Sequence, residues 1–421
     1  MNPQIFILSH GLRLIFEYTP YKRSVNIVVS INAGTRDERN DEHGIAHLLE
    51  HLLFKNNLEN KNNIHLEIDK LGGRLDAFTT REGTYFTLKI LRSHFNQGLK
   101  LLSDIILRPN FTEKDLELEK KIVLEEIRMY KDSPEEIILD LFIKASYNGH
   151  PLSREILGTE KSIINYSLNK IIDFYKREYN PQNMIIAISG DLPLKKVLDL
   201  VEINFSSKFN NLNPIKEEYS PPIFKPNRIL VEDDFEQIQL LFGTEGYKPN
   251  DERKYSLHLL SLILGGGISS RLFQELREKN GLVYNVETQG INFKDTSLFA
   301  IYTATVPKLF QKTLIHLSKE VKKIKKECVK REELDTAKRQ SIYSFLMGIE
   351  SSEFRLFYYL DSLLLYGKII PFIETIRKIR KVKLEDIKDS IEFIFNKPFS
   401  IAVLGPLNSK LKNILERGDI I

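Results

Sequence analysis

A gapless shift of 211 residues lays SVNIVVSINAGTRDERNDEHGIAHLLEHLLF, residues 24 to 54, on FEQIQLLFGTEGYKPNDERKYSLHLLSLILG, residues 235 to 265. In both stretches a β-rich run leads through a turn of Asp, Glu and Arg into an apolar helical pattern, and HLLEHLL faces HLLSLIL. A second match sets DLELEKKIVLEE (115–126) against ELDTAKRQSIYS (333–344). A repeat about half the chain long means duplication of a domain rather than a solenoid, and 421 residues exceed what one hydrophobic core normally serves. The expectation is an α+β protein of two homologous domains, each an antiparallel β-sheet packed with α-helices on one side. Residues 206–226, SSKFNNLNPIKEEYSPPIFKP, are rich in Asn, Ser and Pro and lack periodicity, as a linker does. The domains then run 1–205 and 227–421.

The copies differ where it matters for chemistry. Glu50 falls on Ser261, His51 on Leu262, Glu119 on Ala337 and Glu126 on Ser344. The apolar pattern survives while these polar groups are lost, so the fold does not require them for packing.

In a helix over 43–55, Ile45, Leu48, Leu49, Leu52 and Leu53 fill one sector, and His47, Glu50 and His51 share the opposite one. Imidazoles at i and i+4 lie one turn apart, a spacing that lets two nitrogens reach one Zn²⁺. Glu50, beside them, is placed to accept a proton from water. The order H-x-x-E-H inverts the common H-E-x-x-H arrangement of zinc hydrolases. The competing reading is a solvated polar face, and a third ligand decides between them, because a catalytic zinc needs three protein ligands and an open position.

The stretch FTEKDLELEKKIVLEEIRMYKD (111–132) opens with a capping signal, Thr112 followed by Asp115, and reads as a long helix. Glu119 and Glu126, seven positions apart, share one face. Glu117 and Glu125 lie in the same segment among Lys and Arg, and a charged helix of this kind is ordinarily solvated. Spacing alone leaves the third ligand open.

Composition narrows the field. The formal charge is +4, from 61 basic and 57 acidic residues, too balanced to argue for nucleic acid. A single cysteine, Cys328, leaves no internal disulfide framework and suits a reducing compartment. The N-terminal residues lack the pattern of a signal peptide, and no apolar run approaches the roughly 18 residues of a membrane span. A cytoplasmic protein without membrane or nucleic-acid partners is expected.

Several blocks together, GIAHLLEHLLFK, LGGRLDAFTTREGTYF, ELEKKIVLEEIRMYKDSP, HPLSREILGT, YNPQNMIIAISGDL and SSRLFQELREKNGLVYNVET, resemble the two-domain pitrilysin-like zinc metallopeptidases. This is the inverzincin group that includes bacterial processing proteases and mitochondrial processing peptidase. The resemblance runs over nearly the whole chain. It implies a zinc-dependent endopeptidase acting on peptides or unfolded segments in a closed chamber, with one Zn²⁺ per chain held by His47, His51 and Glu126. It further implies Glu50 as general base, Glu119 as a carboxylate orienting a ligand histidine, and Glu125 facing outward. Arg277 and Tyr284, in LREKNGLVY, match residues that contact the peptide near the scissile bond. Ala77, Phe78 and Thr79 match a substrate-pairing edge strand whose main chain recognises an extended peptide. One departure is Asp76, where the group usually carries Asn.

The resemblance also implies a dimer whose active sites are completed in trans. A homodimer is expected, since this chain carries both the zinc set and the Arg277/Tyr284 pair. The alternatives are a non-catalytic subunit of the same fold and a peptide-binding scaffold. His43 at the helix start is expected to cap or face solvent, His150 to be structural, and His258 to pack or lie at the surface. Cys328, in a Lys-rich helical run, receives no role. Thr80, Glu82 and Thr84 are expected to face solvent from a strand and turn.

Overall fold

The computed structural model describes residues 3–55, 64–205 and 220–416. Strands β1 (Gln4–Ile7), β2 (Arg13–Tyr18), β3 (Ser24–Ile31), β4 (Arg74–Thr79), β5 (Thr84–Leu91) and β6 (Met184–Gly190) form a sheet in the order β1-β2-β6-β3-β5-β4. Strands β7 (Arg228–Glu232), β8 (Ile238–Glu245), β9 (Asn285–Asn292), β10 (Ser297–Thr305) and β11 (Ser400–Gly405) form a second in the order β7-β11-β8-β10-β9. Without β1, the two orders are the same. The duplication read from sequence is therefore a duplication of topology.

Helices α1 (Ile45–Phe54), α2 (Ile64–Lys70), α3 (Phe95–Leu107), α4 (Glu113–Lys131), α5 (Pro134–Ser146), α6 (Glu160–Asn165), α7 (Leu168–Glu178) and α8 (Leu194–Phe205) belong to the first half of the sequence. The second half contributes α9 (Lys254–Gly265), α10 (Pro307–Glu327), α11 (Arg331–Gly348), α12 (Ser352–Tyr366), α13 (Phe372–Lys381), α14 (Leu384–Phe395) and α15 (Ser409–Glu416). Among the described residues no helix is long and apolar enough to cross a membrane. Of the expected linker, residues 206–219 lie outside the described residues, and 220–226 carry no regular element.

Three features depart from the expectation. The sheets are antiparallel except for one pair each: β2 runs parallel to β6, and β7 to β11. In both halves the returning strand arrives after a long helical crossover, which permits parallel entry. The helices also cover both faces. Val25, Ile27, Val29 and Ile31 of β3 join the core under α1 and α3, while α12 packs on the opposite face against β3 and β6. In the second sheet Leu241 and Ala402 meet Ile138 and Phe142 of α5 on the corresponding face. The continuous apolar runs NIVVSI and MIIAIS carry this signal, since a strand buried on both faces does not alternate.

The third departure is that compact units are not contiguous in sequence. One unit holds the chain up to Met129, the stretch from Arg154 through α8, and Gly348–Ile369. The other holds Tyr130–Ser153, Ser220–Met347 and the chain from Ile370 on. Each half thus gives one helix, α5 or α12, to the unit built mainly from the other half. Within the first unit α12 is anchored by a buried network. Arg355 grips Glu17 of β2 with Nε at 2.8 Å and Nη2 at 2.9 Å from the two carboxylate oxygens. Tyr359 and Ser189 donate to the same carboxylate at 2.7 and 2.8 Å. Such a pair in low dielectric holds only because every oxygen is satisfied.

Candidate metal centre

The helix that carries HLLEH begins at a residue with no side chain to cap it. Gly44 sits at φ +82°, and a Cβ there would stand 2.6 Å from the carbonyl oxygen of Leu157, so both backbone and space require glycine. Glu38 does the capping instead. Its fully buried carboxylate accepts from the N–H of Gly44 and of Ala46, each at 3.1 Å, and lies where the helix dipole favours negative charge. Burial still pushes this carboxyl well above its ordinary range, against the hydrogen bonds from Ala46 and Gly44. Leu48, Leu49, Leu52 and Leu53 are buried in the core, which turns His47, Glu50 and His51 away from it.

Helix α4 supplies the other wall. Its start is fixed as the sequence suggests: Thr112 N–H donates to Asp115 at 2.7 Å, and Asp115 N–H returns to the Thr112 hydroxyl at 3.3 Å. Glu126 reaches Nε2 of His51 at 3.4 Å and Nε2 of His47 at 3.6 Å through one oxygen. Donor atoms from these three residues all lie within 4.8 Å of one another. Tetrahedral ligands about 2.0–2.1 Å from a zinc ion stand about 3.3–3.4 Å apart. Two imidazole nitrogens and a carboxylate at this spacing fit such an ion.

Glu119, buried to 2% exposure, lies 3.1 Å from Nδ1 of His51. Receiving that N–H selects the tautomer whose Nε2 lone pair is available to a metal. Lys55 Nζ stands 3.2 Å from the other Glu119 oxygen. Glu125 points outward and pairs with Arg128 at 2.5 Å. Burial and the neighbouring His51 hold His47 down at about 4. Burial also opposes charge on His51, but hydrogen bonds to Glu119 and Glu126 outweigh it and raise the group to about 9. Glu126 is lowered, chiefly by its hydrogen bond to His51. Glu50 is raised by burial against a lowering hydrogen bond from Thr79.

Strand β4 closes the site on the edge of its sheet. Thr80 N–H donates to Gly83 O at 2.8 Å, and the register pairs Thr79 with Thr84, Phe78 with Tyr85 and Ala77 with Phe86. Antiparallel pairs alternate between bonded and non-bonded. Ala77 and Thr79 therefore turn N–H and C=O to the free edge, whereas Phe78 turns its own toward β5. Of the three expected main-chain partners, only Ala77 and Thr79 present donors and acceptors outward. Phe78 is exposed and stacks on Tyr85 at 5.0 Å.

Sequence reasoning missed the side chain of Thr79, which donates to Glu50 Oε2 at 2.6 Å. The signal was strand parity: Leu75 and Ala77, at the same parity, pack on the core beneath α1. The solvent-facing reading of Thr80, Glu82 and Thr84 is corrected. Thr84 is buried and donates to Ala33 O at 3.0 Å, Glu82 pairs with Arg36 at 2.6 Å, and the Thr80 hydroxyl donates to Gly83 O at 2.9 Å, closing the turn. Thr80 thus closes the turn that follows β4, while Glu82 and Thr84 tie it to the segment that follows β3.

The remaining candidates lie elsewhere. His43 precedes the helix, and its carbonyl accepts from Tyr166. His150 accepts from Leu152 N–H and contacts Ser220 O. Cys328 follows the end of α10 with φ +61° rather than continuing the helix. In the second unit Arg277 sits in a π-helical turn, its guanidinium 5.0 Å from the Tyr284 ring, and Tyr284 is 75% exposed. His258, the counterpart of His47, contacts the Ser341 hydroxyl at 3.0 Å. Ser261, the counterpart of Glu50, donates to Thr288 of β9 at 3.0 Å. The second unit keeps a helix-to-strand tie where the first has Glu50 and Thr79.

Known proteins resemble this chain over nearly its whole length. The family model described as Insulinase (Peptidase family M16) matches residues 13–160, and that for the peptidase M16 inactive domain matches 165–341. An uncharacterized zinc protease of Mycobacterium leprae is 32% identical, over 96% of this chain and 92% of its own. Another from Bacillus subtilis is 30% identical, over 95% and 98%. A crystal structure of a protease from Helicobacter pylori superposes with a TM-score of 0.85 at 23% identity, covering 96% of this chain and 99% of that one. A peptidase M16 inactive domain from Pseudomonas fluorescens gives 0.87 at 22%, over 97% and 98%. The chain belongs to the peptidase M16 family, and the two structures share its fold.

Proposed function

We propose that this protein is a zinc-dependent endopeptidase that cuts peptides or unfolded segments held extended in a closed chamber in the cytoplasm. The observation that carries the reading is the convergence of His47, His51 and Glu126 on one point, next to Glu50 on the same helix face. The zinc-protease names of the relatives favour the same metal. Zinc, when bound there, supplies a Lewis acid that polarises a peptide carbonyl and acidifies water.

The residues of the chain do the rest. Glu50 takes the proton of the attacking water and returns it to the leaving amine, as a buried carboxylate with a raised affinity for protons suits. Glu119 keeps His51 in the tautomer that binds metal. Ala77 and Thr79 hold the substrate main chain along the edge of β4, so recognition tolerates many side chains. Arg277 donates to a substrate carbonyl, and the Tyr284 hydroxyl stabilises developing negative charge. The active assembly is a homodimer in which these two residues serve the partner's zinc site.

Zinc content and cleavage of a quenched peptide library test this together. About one zinc per chain with turnover supports the reading. Zinc without hydrolysis of any peptide makes the protein a peptide-binding scaffold, and failure to take up zinc in excess makes it a non-catalytic subunit.

A further inference from the structure

Among the described residues, Glu50 accepts from one neutral donor, the Thr79 hydroxyl, which belongs to the strand proposed to bind substrate. The Thr79 hydroxyl has a single proton and two acceptors in reach: Glu50 Oε2 at 2.6 Å and Thr84 Oγ1 at 3.5 Å. Thr84 spends its own proton on Ala33 O. The short distance is that of a hydrogen bond from hydroxyl to carboxylate, and the pair is buried, with Thr79 at 8% and Glu50 at 7% exposure. A β-branched residue in a strand has few side-chain rotamers, so the hydroxyl is a fixed point rather than a mobile one.

The same residue turns its N–H and C=O to the free edge of the sheet. Thr79 therefore faces both parties at once, with main chain to an incoming strand and side chain to Glu50. We propose that Thr79 is the positioning residue for Glu50, locking one carboxylate oxygen so that the other meets the attacking water, and linking substrate register to the base through one rigid residue. This rests on the peptidase reading given above. The second unit separates this role from a merely mechanical one. Ser261 and Thr288 tie α9 to β9 with the same topology but no carboxylate, so removing that tie probes packing alone.

The test compares Thr79→Val, Thr79→Ser and Thr288→Val with wild type, in steady-state kinetics, zinc content, thermal unfolding and crystal structures of the zinc-loaded protein. Thr79→Val preserves shape and deletes the donor. It is expected to lower kcat about 10- to 100-fold through base misplacement, with KM within about twofold because the edge main chain is untouched, and with full zinc. The Glu50 carboxylate moves off its wild-type rotamer in Thr79→Val and returns to it in Thr79→Ser, which also recovers most of kcat. Thr288→Val leaves kcat unchanged. An unmoved Glu50 in Thr79→Val overturns the inference, a result readable whether or not the protein cleaves peptides. So does wild-type kcat in that variant. Absence of turnover in wild type sinks the peptidase reading instead.

Discussion

One oxygen of Glu126 lies 3.4 Å from Nε2 of His51 and 3.6 Å from Nε2 of His47, bringing a residue of α4 onto a helix far back in the chain. Removing this carboxylate leaves two ligands, too few for a stable tetrahedral site. Glu126→Gln should therefore lose zinc to a competing chelator under conditions where wild type retains it. Glu119→Gln, which alters a partner of His51 and of Lys55 but removes no proposed ligand, should cost about 10- to 100-fold in zinc affinity. Equal retention by Glu126→Gln and wild type would remove Glu126 from the ligand set.

His258 gives the second unit a pH dependence. Burial lowers its pKa from 6.5, so between that lower value and 6.5 the unfolded chain binds more protons than the folded one. The stability it contributes is full above 6.5 and drains as pH falls toward the folded value. His258→Gln can keep a contact to Ser341 without titrating. Its melting temperature should fall less than that of wild type between about pH 7.5 and about pH 5.5. Parallel pH slopes would refute this assignment.

The Glu17–Arg355 pair holds α12 on its sheet. Arg355→Ala strands a carboxylate that is 3% exposed, and breaking a buried pair by removing one partner costs about 3–5 kcal/mol. Denaturant unfolding should show that loss, and replacing both residues by leucine should recover much of it. A loss under about 1 kcal/mol would mean that Tyr359 and Ser189 suffice for the carboxylate.

If active sites are completed in trans, mixing inactive Glu50→Gln with inactive Arg277→Ala subunits should restore part of the activity, measured after subunit exchange. No recovery despite proven exchange would place the contributing residues in one chain.

How much of this was readable in the sequence depended on the kind of interaction. Apolar periodicity carries α1 and its leucines, and the shift of HLLEHLL onto HLLSLIL carries the shared topology, because packing is encoded in local pattern. The pairing of His51 with Glu126 is long-range. Spacing alone could not choose among the glutamates of α4, and only the resemblance singled out Glu126. The exchange of α5 and α12 left no local trace, since a helix that buries its apolar face looks the same whichever sheet it covers. The two-sided burial was legible in NIVVSI and MIIAIS, but helices on one face were expected. For Thr79 the resemblance points to the main chain alone. Its side chain could have been placed by counting parity from Leu75 and Ala77 toward the helix.

Zinc content measured together with turnover in Glu50→Gln tests the role of Glu50 as general base most directly. The substitution keeps the shape of the side chain and removes its ability to accept a proton. Wild-type zinc with peptide cleavage abolished is the expected result. Near-full cleavage by that variant would contradict it.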